Sequence, residues 1–406
     1  MAYDVIVVGA RVAGAATAML LARAGLRVLA VDRAGFPSDT VSSHQVHVPA
    51  VARLARWGLL DRLVAAGTPP TREVCFDAGT VAFTGRFPAH DGVDALYSPR
   101  RTLLDAVLVD AARAAGAEVR ERFRVEELVR SDGAVVGIRG RCGVAATSVT
   151  ERAPLVIGAD GKRSFVAASV GARVRRSAPV RTFASYGYWS GVPLAAGEMY
   201  HRPGRVVAAF PTNDDLTMVY VAAPLAEFEA ARRDLAAHHL RSLDRCGDLG
   251  SRVRGAVRVE RLRTTPDQPN AVRAAHGPGW ALAGDAGAVL DSVTAQGISH
   301  ALADAESLAA AVVAGLGGTV SLAVALAGHE RERDRRLLPM YDLTLRLAEL
   351  RPRRTDHALF AALADRPAEI ERFLGALAGV VPADQFFTPR VVLRLLAAAG
   401  LDRLRG

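Results

Sequence analysis

Lysine is almost absent from this sequence, although basic residues are not. Lys162 is the only lysine among 51 lysines and arginines in a chain of 406 residues, so arginine carries the basic character. Cysteine is also scarce: Cys75, Cys142 and Cys246 are odd in number and show no C-x-x-C spacing. We therefore expect free thiols, and the sequence supports neither a disulfide framework nor a zinc or other metal site.

Long uncharged hydrophobic runs are missing as well. No run reaches the roughly 18–20 residues that a membrane-spanning helix needs, and the chain enters a strand without a basic, cleavable signal region. We expect no membrane span and a cytoplasmic location. The formal net charge is +9, but the arginines are spread along the chain and no basic run alternates with stacking aromatics. Nucleic acid is therefore not an expected partner.

The sequence does contain a strand that runs straight into a glycine-punctuated turn and an alanine-rich helix, over residues 3–16. Gly9 permits the tight turn, Gly14 lets helix and strand approach closely, and the free N–H groups of the helix start suit a pyrophosphate. Arg11 stands where such fingerprints usually have a second glycine. We expect its side chain to push a pyrophosphate outward and its guanidinium to compensate by pairing with phosphate. This turn predicts a dinucleotide site.

An acidic residue follows the next apolar run at the expected distance. Asp32 ends the strand predicted over residues 26–31, about twenty residues after the turn, where a carboxylate accepts hydrogen bonds from a ribose 2′-OH. Arg33 follows it directly, and we include both among the candidate cofactor-binding residues.

Two further strand-turn-helix units lie far along the chain. One buried strand leads into Asp160-Gly161, and another leads into Gly284-Asp285. A long helix then opens at Gln296-Gly297-Ile298. For each aspartate the alternative is a helix N-cap without further function.

Together the three units resemble the fingerprints of the group A FAD-dependent monooxygenases of para-hydroxybenzoate hydroxylase type, in the same order and at similar spacing over residues 1–340. That superfamily also includes geranylgeranyl reductases and flavin halogenases. The resemblance implies a non-covalent FAD, with NAD(P)H as a transient reductant. With Arg11 and Arg33, the residues expected to hold FAD are Gly9, Gly14, Asp32, Arg101, Asp160, Gly161, Gly284, Asp285, Gln296, Gly297 and Ile298.

The resemblance also implies separate roles for these residues. Arg101, at the start of the middle helix, contacts FAD. Asp160 and Gly161 take part in both flavin and nicotinamide handling, and Asp285 hydrogen-bonds the ribityl chain. The helix that opens at Gln296 directs its N-terminal amides at the flavin pyrimidine edge, where a positive helix end stabilises developing negative charge.

The sequence departs from this family after the Gly-Asp motif. The family commonly has a histidine and a Pro-Pro pair there, whereas this chain has Ala288 and Asp291-Ser292. Asp291 has two interpretations. It caps the nearby turn or helix, or it faces the pocket and exchanges a proton with substrate.

A polar loop over residues 36–45 is a candidate ligand-facing segment, because it lies between the dinucleotide strand and a helix. His44 is our second catalytic candidate. The alternative is that Ser42, Ser43 and His44 only cap that helix.

Aromatic residues concentrate in the strand-like stretch over residues 173–224, which predicts a second sheet that could wall a substrate pocket. The candidate pocket residues are Tyr186, Tyr188, Trp189 and Phe210. The alternative is that these rings belong to an ordinary core.

We predict an α/β fold with a Rossmann-like FAD-binding domain, a second sheet-based substrate domain and a helical C-terminus. The FAD-binding domain is expected to be discontinuous, over 1–72, 94–172 and 270–340. The substrate domain takes 73–93 and 173–269, and the helical region takes 341–406, with breaks at Pro352, Pro367 and Pro382. Thr84-Gly85 is a turn signal within the strand-like residues 72–88. Residues 225–247 predict an amphipathic helix.

The resemblance implies an FAD-dependent monooxygenase that uses NAD(P)H and O2 to hydroxylate or epoxidise a sizeable apolar or aromatic small molecule in biosynthesis. A flavin-dependent reductase or dehydrogenase of C=C bonds is the runner-up, since fold alone does not select a reaction. A flavin-binding protein without turnover is the third hypothesis. Halogenation is disfavoured, because flavin halogenases rely on an active-site lysine and Lys162 lies within the Asp-Gly motif. The sequence predicts neither the substrate nor the oligomeric state.

Overall fold

The computed structural model of the chain describes residues 3–42, 44–143 and 147–405. Ser43, one of the three candidate caps in the first polar loop, lies outside the described residues. None of the helices within these ranges combines the length and hydropathy that crossing a bilayer requires.

The strands, numbered in chain order, are β1 Val5–Val8, β2 Val28–Val31, β3 Pro70–Thr71, β4 Glu73–Asp77, β5 Ala82–Arg86, β6 Leu96–Tyr97, β7 Glu118–Arg120, β8 Phe123–Ser131, β9 Ala134–Cys142, β10 Thr147–Arg152, β11 Leu155–Gly158, β12 Val174–Ala178, β13 Thr182–Ser190, β14 Gly197–Arg202, β15 Arg205–Pro211, β16 Leu216–Pro224, β17 Val257–Arg258, β18 Arg263–Thr265, β19 Asn270–Arg273, β20 His276–Gly277, β21 Trp280–Leu282 and β22 Ala288–Val289.

The α-helices are α1 Val12–Arg23, α2 Val48–Arg56, α3 Leu60–Ala65, α4 Arg101–Ala114, α5 Phe165–Ser169, α6 Phe228–Ala231, α7 Leu235–Leu243, α8 Leu249–Arg254, α9 Gly297–Leu316, α10 Leu322–Leu347, α11 Arg354–Leu363, α12 Pro367–Ala378, α13 Ala383–Phe386 and α14 Pro389–Arg405. Short 3-10 turns lie at Leu225–Glu227, Gly284–Ala286 and Ser292–Thr294.

A six-stranded sheet in the order β20-β21-β11-β1-β2-β7 forms the centre of the structure. All neighbours pair in parallel except the edge strand β20. Strands β1, β2 and β11 are buried throughout because helices α1, α4 and α9 cover one face, while α5, β8 and β9 cover the other. The carboxyl ends of parallel strands share one edge, so the turns after β1, β11 and β21 lie together there.

The second large sheet of the structure has eight strands. Its order is β17-β13-β16-β15-β14-β4-β5, and β18 also pairs with β13. The pairing is antiparallel except between β14 and β4. Strands β13 and β16 are buried along almost their whole length, because the core around Tyr186 covers one face and α7 and α8 cover the other. Smaller sheets follow the orders β10-β9-β8, β12-β19-β22 and β3-β6.

The C-terminal part is helical and breaks near the three predicted prolines. Helix α10 is continuous from Leu322 to Leu347 with Pro339 inside it, so it runs across the predicted boundary at 340/341. Helices α11 and α12 then pack Phe360 and Phe373 against Phe76 and Phe83 of the β4–β5 hairpin. The α/β class, the Rossmann-like sheet, the second sheet and the helical C-terminus are thereby confirmed, and the domain boundaries stay a prediction.

Two local predictions were wrong. Residues 225–247 do not form one amphipathic helix, because Asp234 accepts a hydrogen bond from Ala237 N at 3.0 Å and so starts a new helix, α7. Gly85, taken as a turn signal, lies inside β5. A Cβ there would come within 2.3 Å of Ile370 Cγ2, so the close packing of α12 on the hairpin requires glycine.

Candidate functional site

The turn after β1 is built by two glycines that cannot carry a side chain. Gly9 has a φ of +98°, and a Cβ on it would lie 2.4 Å from the carbonyl oxygen of Ala159. A Cβ on Gly14 would lie 1.7 Å from the carbonyl oxygen of Gly9. Helix α1 therefore lies directly against the end of β1, and no side chain caps its first N–H groups. Free N–H groups at a helix start form an anion site.

Asp32 lies at the end of β2, beside this turn. Its carboxylate accepts hydrogen bonds from Ala10 N at 2.7 Å and from Ala34 N at 2.8 Å, so its position is fixed by backbone on both sides. Arg33 is exposed next to it. The arrangement places a held carboxylate and an exposed guanidinium next to the helix start.

Arg11 and Arg101 share one buried carboxylate. Asp105, on α4, receives two hydrogen bonds of 3.0 Å from Arg101 and one of 2.6 Å from Arg11. Arg11 also donates to the Ser38 carbonyl and hydroxyl oxygens, at 3.2 and 3.0 Å. The guanidinium that replaces the second glycine is thus held toward the turn by α4 and the polar loop, with its side chain 27% exposed. Whether it contacts a pyrophosphate stays a prediction.

Asp160 serves as a local cap in this structure. Its carboxylate accepts hydrogen bonds from the Ser164 hydroxyl at 2.5 Å and from Val166 N at 3.1 Å, at the start of α5. Burial raises the pKa of Asp160, and these hydrogen bonds oppose that rise. Gly161 follows with a φ of +80° and open space where a side chain would stand.

The Gly-Asp motif meets the first turn at the same sheet edge. Gly284 has a φ of +57°, and a Cβ on it would lie 2.8 Å from the Ala13 side chain of α1. The half-buried carboxylate of Asp285 accepts no hydrogen bond from any residue in the described ranges. Burial raises the pKa of Asp285, and the positive charges of Arg101 and Lys162 act in the opposite direction. A carboxylate with no protein partner in a cationic setting is ready to accept hydrogen bonds from a polar ligand.

Helix α9 presents its N-terminus next to this motif. Ala295 adopts the left-handed region with a φ of +53°, a strained conformation for a residue with a Cβ. No side chain caps the helix, and Gly297 is exposed while Ile298 is buried. The buried Gln296 side chain instead donates through Nε2 to the carbonyl oxygen of Leu377 at 2.7 Å, which ties α9 to α12.

These residues fit FAD. The glycine turn leaves room for backbone N–H groups to reach a pyrophosphate, Asp285 offers an unpartnered carboxylate, and α9 offers a free positive helix end. Arg101 lies close enough to Asp285 to lower its pKa, so the first turn, the middle helix and the Gly-Asp motif converge on one site. Within the described part of the chain, no group of three or more His, Cys, Asp or Glu residues is placed to hold a metal ion.

Asp291 is found in a capping position. It is 2% exposed, and its carboxylate accepts hydrogen bonds from Val293 N at 3.0 Å and from the Thr182 hydroxyl at 2.5 Å. Burial raises the pKa of Asp291 to about 6, against the effect of these two hydrogen bonds. The cap holds the Ser292–Thr294 turn that leads into α9.

His44 is buried in a ring cluster with two of the candidate pocket residues. Its Nε2 contacts the Tyr188 hydroxyl, its ring stacks on Tyr188 at 5.7 Å and 9°, and Tyr186 meets it edge-on at 5.6 Å. The Arg100 guanidinium lies 3.9 Å from the centre of the Tyr188 ring. Burial lowers the pKa of His44 well below its usual value, and the charges of Arg101 and Arg100 lower it further. The imidazole is therefore neutral at pH 7.

A largely apolar pocket adjoins the turn that precedes α9. It is lined by Gln45, His47, Phe87, Leu96, Met199, Val206, Ala208, Phe210, Met218, Tyr220, Ser292, Val293, Thr294, Ala295, Leu347, Leu374 and Leu377. Phe210 is thus the one candidate pocket residue that lines this cavity. Tyr186 and Tyr188 share the same core cluster as Met218 and Tyr220, on the pocket side of the sheet.

Trp189, a candidate pocket residue, does not line the apolar pocket. Successive residues of a strand point to opposite faces, so Trp189 cannot share a face with its neighbour Tyr188. It packs on the other side of the sheet and stacks on His239 at 5.4 Å. Trp189 therefore belongs to the core between the sheet and helices α7 and α8.

Sequence reasoning included Gln45 only as the end of the polar loop over residues 36–45, and it missed His47, Leu374 and Leu377, which also line the pocket. Gln45 and His47 flank Val46 with a spacing of two, and this alternation before a helix-starting proline was the available signal. Leu374 and Leu377 come from α12, and no local pattern in the sequence connects α12 with this pocket.

The fold and these residues define an FAD-binding flavoprotein. The family model described as "FAD binding domain" matches residues 2–338. Because this match covers most of the chain, the chain belongs to the FAD binding domain family, and its fold is that of FAD-dependent oxidoreductases. The resemblance read from the three motifs is confirmed.

Individual relatives match at low identity. The chain is 35% identical over 182 residues to the probable electron transfer flavoprotein-quinone oxidoreductase YdiS of Escherichia coli strain K12, covering 42% of this chain and 39% of that protein. The myxobacterial chondrochloren halogenase CndH is 25% identical with a TM-score of 0.79, over 98% of this chain and 96% of the other. PqsL, a probable FAD-dependent monooxygenase from Pseudomonas aeruginosa, is 23% identical with a TM-score of 0.70, over 92% and 98%.

Proposed function

We propose that this protein is an FAD-dependent monooxygenase that uses NAD(P)H and O2 to hydroxylate or epoxidise a sizeable apolar or aromatic small molecule. The observation that carries the proposal is the apolar pocket whose wall includes residues 292–295, directly before the helix end assigned to the flavin. This position supports the proposal, because an uncharged organic molecule bound there would lie next to the end of α9 that we assign to the flavin.

FAD, when bound, would supply the redox chemistry that couples oxidation of NAD(P)H to transfer of one oxygen atom of O2 to the substrate, with the other oxygen atom leaving as water. The chain supplies position and shielding. Leucine, methionine and phenylalanine side chains around the pocket exclude water, and the uncapped N-terminus of α9 favours negative charge beside it. The likeness to PqsL supports this proposal.

The single lysine supports a monooxygenase over a halogenase, despite the likeness to CndH. Lys162 donates to the Asp267 carbonyl oxygen and lies 3.4 Å from the Asp267 carboxylate. It is not among the residues that line the apolar pocket. A halogenase of this superfamily would need a lysine there.

Isotope incorporation tests the proposal. The purified FAD-loaded protein is incubated with NADPH, 18O2 and a panel of aromatic and polyene compounds, with flavin absorbance and product mass followed together. We expect NADPH to bleach the flavin anaerobically and one 18O atom to enter a product.

Two other outcomes select the alternatives. Flavin reduction coupled to saturation of a C=C bond, without 18O in any product, would identify a reductase, the hypothesis closer to YdiS. No flavin reduction by NADPH or NADH with any compound would favour a flavin-binding protein without turnover.

A further inference from the structure

A single guanidinium joins part of the first polar loop to the glycine turn after β1. We call residues 36–42 of this loop the strap. Nη1 of Arg11 donates to the Asp105 carboxylate at 2.6 Å and to the Ser38 carbonyl oxygen at 3.2 Å. Nη2 donates to the Ser38 hydroxyl at 3.0 Å and to the Asp39 carbonyl oxygen at 3.4 Å. Arg11 therefore connects the strap to its own turn and to the buried carboxylate of α4.

These four hydrogen bonds occupy both terminal nitrogens of Arg11. A guanidinium has five N–H groups, so the four bonds leave only the Nε hydrogen for another acceptor. A phosphate group pairs with arginine through two parallel N–H···O bonds, and at least one of them uses a terminal nitrogen. Such pairing would require Arg11 to give up part of its hold on the strap. The geometry favours a residue that holds the strap over a residue that binds phosphate.

The far end of the strap is fixed to the second sheet. The Asp39 carboxylate lies 2.9 Å from the guanidinium of Arg263 on β18. The hydroxyl of Tyr186 on β13 donates to the Thr40 carbonyl oxygen at 3.3 Å and accepts a hydrogen bond from Ser42 N at 3.4 Å. The strap thus bridges the glycine turn and the second sheet.

The strap itself has little structure of its own. It contains no helix or strand, and its residues are half-buried or exposed. Near the turn, Phe36 N donates to the Glu121 carboxylate at 2.8 Å, and the Phe36 ring centre lies 5.6 Å from the guanidinium carbon of Arg11. Segments with few buried contacts open at a small cost in free energy. Loss of the Arg11 contacts would therefore free the strap from the turn while the sheets on both sides stay folded.

The strap runs along the cofactor site. It starts four residues after Asp32, the carboxylate expected to bind the ribose. Arg11 itself lies in the turn expected to bind the pyrophosphate. Arg101, expected to contact FAD, shares the Asp105 carboxylate with Arg11. The strap therefore borders the site from its ribose end to the middle helix.

We propose that Arg11 holds the strap closed beside bound FAD and thereby sets the rate at which the cofactor is exchanged. Arg11 is a positioning residue, because it acts on the cofactor through the strap. Its contacts are with protein groups, so they stabilise the closed strap to the same extent with and without FAD. Such contacts change the rates of FAD binding and release but not the affinity. The inference rests on the FAD site and is independent of the reaction that the flavin performs.

Release of FAD from the purified, FAD-loaded protein tests this role. Protein loaded with radiolabelled FAD is mixed with excess unlabelled FAD, and the dissociation constant is measured separately by equilibrium dialysis. We expect Arg11→Met to release FAD at least about tenfold faster, with a dissociation constant within about threefold of wild type. Arg11→Lys should behave in the same way, because an ammonium group has three donors and cannot reproduce the four hydrogen bonds.

Two further variants serve as a second test and a control. Ser38→Ala removes one acceptor of Arg11 from the strap, so FAD release should be about two- to fivefold faster. An arginine that bound phosphate would not need this hydroxyl. Arg23→Met removes an arginine from the last turn of the same helix, where it donates to the Trp57 carbonyl oxygen at 3.0 Å. This control should release FAD at the wild-type rate.

Three results would overturn the proposal. The first is an unchanged release rate in Arg11→Met, or in Ser38→Ala if Arg11→Met does not fold. The second is a dissociation constant that rises about tenfold in Arg11→Met and returns to the wild-type value in Arg11→Lys, which would identify a phosphate ligand. The third is equally fast release from Arg23→Met, which would reduce the effect to net charge. The assay uses neither reductant nor O2, so failure of the monooxygenase proposal would not change its outcome.

Discussion

At the scale of single residues, Asp285 tests the cofactor site most directly, because its carboxylate has no protein partner in the described part of the chain. We expect Asp285→Ala to raise the dissociation constant of FAD by tenfold or more, since a charge-assisted hydrogen bond contributes roughly 1.5–3 kcal/mol. Flavin release measured by ultrafiltration checks this. Glu229→Ala, at an exposed ion pair with Arg232, is the control and should retain FAD. Equal retention in Asp285→Ala would remove this residue from the site.

The raised pKa of Asp291 predicts that the stability of the protein depends on pH. This pKa is about 6 in the folded protein against an ordinary value of 3.8, so between pH 4 and 6 the folded state holds a proton that the unfolded chain has released. The contribution of Asp291 to the free energy of unfolding therefore falls as pH rises through this window. We expect Asp291→Asn to gain stability relative to wild type from pH 4 to pH 7, by at most about 3 kcal/mol.

Urea unfolding at several pH values measures this gain. Asp132→Asn, at an exposed hairpin turn with a φ of +49°, should show none. Asparagine keeps the oxygen that caps Val293, so NADPH-dependent flavin reduction should persist in Asp291→Asn. Its collapse across the pH range would instead support the acid–base role.

At the scale of secondary-structure elements, Asp105 on α4 links its helix to the start of α1 through Arg11, and it also binds Arg101 of its own helix. Its side chain is fully buried, whereas those of Arg11 and Arg101 are 27% and 10% exposed. Removing one partner of a buried ion pair leaves uncompensated charge and costs about 3–5 kcal/mol. We expect Asp105→Ala to lower the free energy of unfolding by about 3 kcal/mol. This value is at the lower end of that range because the Arg11 side chain is partly exposed to solvent.

Chemical denaturation measures this loss, and the same helix provides a control. Asp110 lies on α4 in an exposed pair, 3.4 Å from Arg62. Asp110→Ala should change stability by less than about 0.5 kcal/mol. Equal losses in the two variants would mean that Asp105 is no more than a surface charge.

The elements also show what local sequence could predict. The turn at Gly9 and the helix start at Arg101 follow from glycine geometry and helical periodicity, which act over a few residues. Trp189 was assigned to the wrong face of the sheet because β13 is buried on both faces. Its sequence therefore shows no alternation of apolar and polar residues that would distinguish the two faces. Gly85 was misread because the side chain that excludes a Cβ there, Ile370, comes from a distant helix.

At the scale of the whole molecule, the C-terminal helices act as a wall of the pocket. Leu374 is fully buried, lines the cavity and packs on the β4–β5 hairpin. We expect Leu374→Ala to lower the free energy of unfolding by about 2–5 kcal/mol while FAD affinity changes little, because α12 supplies substrate-side surface. Thermal unfolding and flavin titration check the two parts.

An exposed leucine gives the matched control. Leu393, on α14, is 65% exposed, and Leu393→Ala should leave the free energy of unfolding within about 0.5 kcal/mol of wild type. Loss of FAD in Leu374→Ala, with Leu393→Ala unaffected, would show that the C-terminal helices also support the cofactor site.

The composition of the pocket wall explains why the sequence indicates candidate cofactor residues more readily than the residues that line the apolar pocket. Gly9, Asp160 and Asp285 lie in motifs that can be read within about ten residues. The pocket instead combines side chains from six separate parts of the chain, and only folding brings them together; they come from Gln45 and His47, from Phe87, from Leu96, and from the stretches 199–220, 292–295 and 347–377. No local periodicity encodes such an assembly.

That assembly has a consequence for the order in which the molecule is made. The ribosome releases the strands of the central sheet long before it releases Leu374 and Leu377, which complete the cavity. During that interval, the apolar side chains that Leu374 and Leu377 contact in the finished protein lack this cover. Transiently exposed apolar surface invites chaperones and aggregation. Translation must therefore proceed past residue 377 before the wall of the pocket is complete.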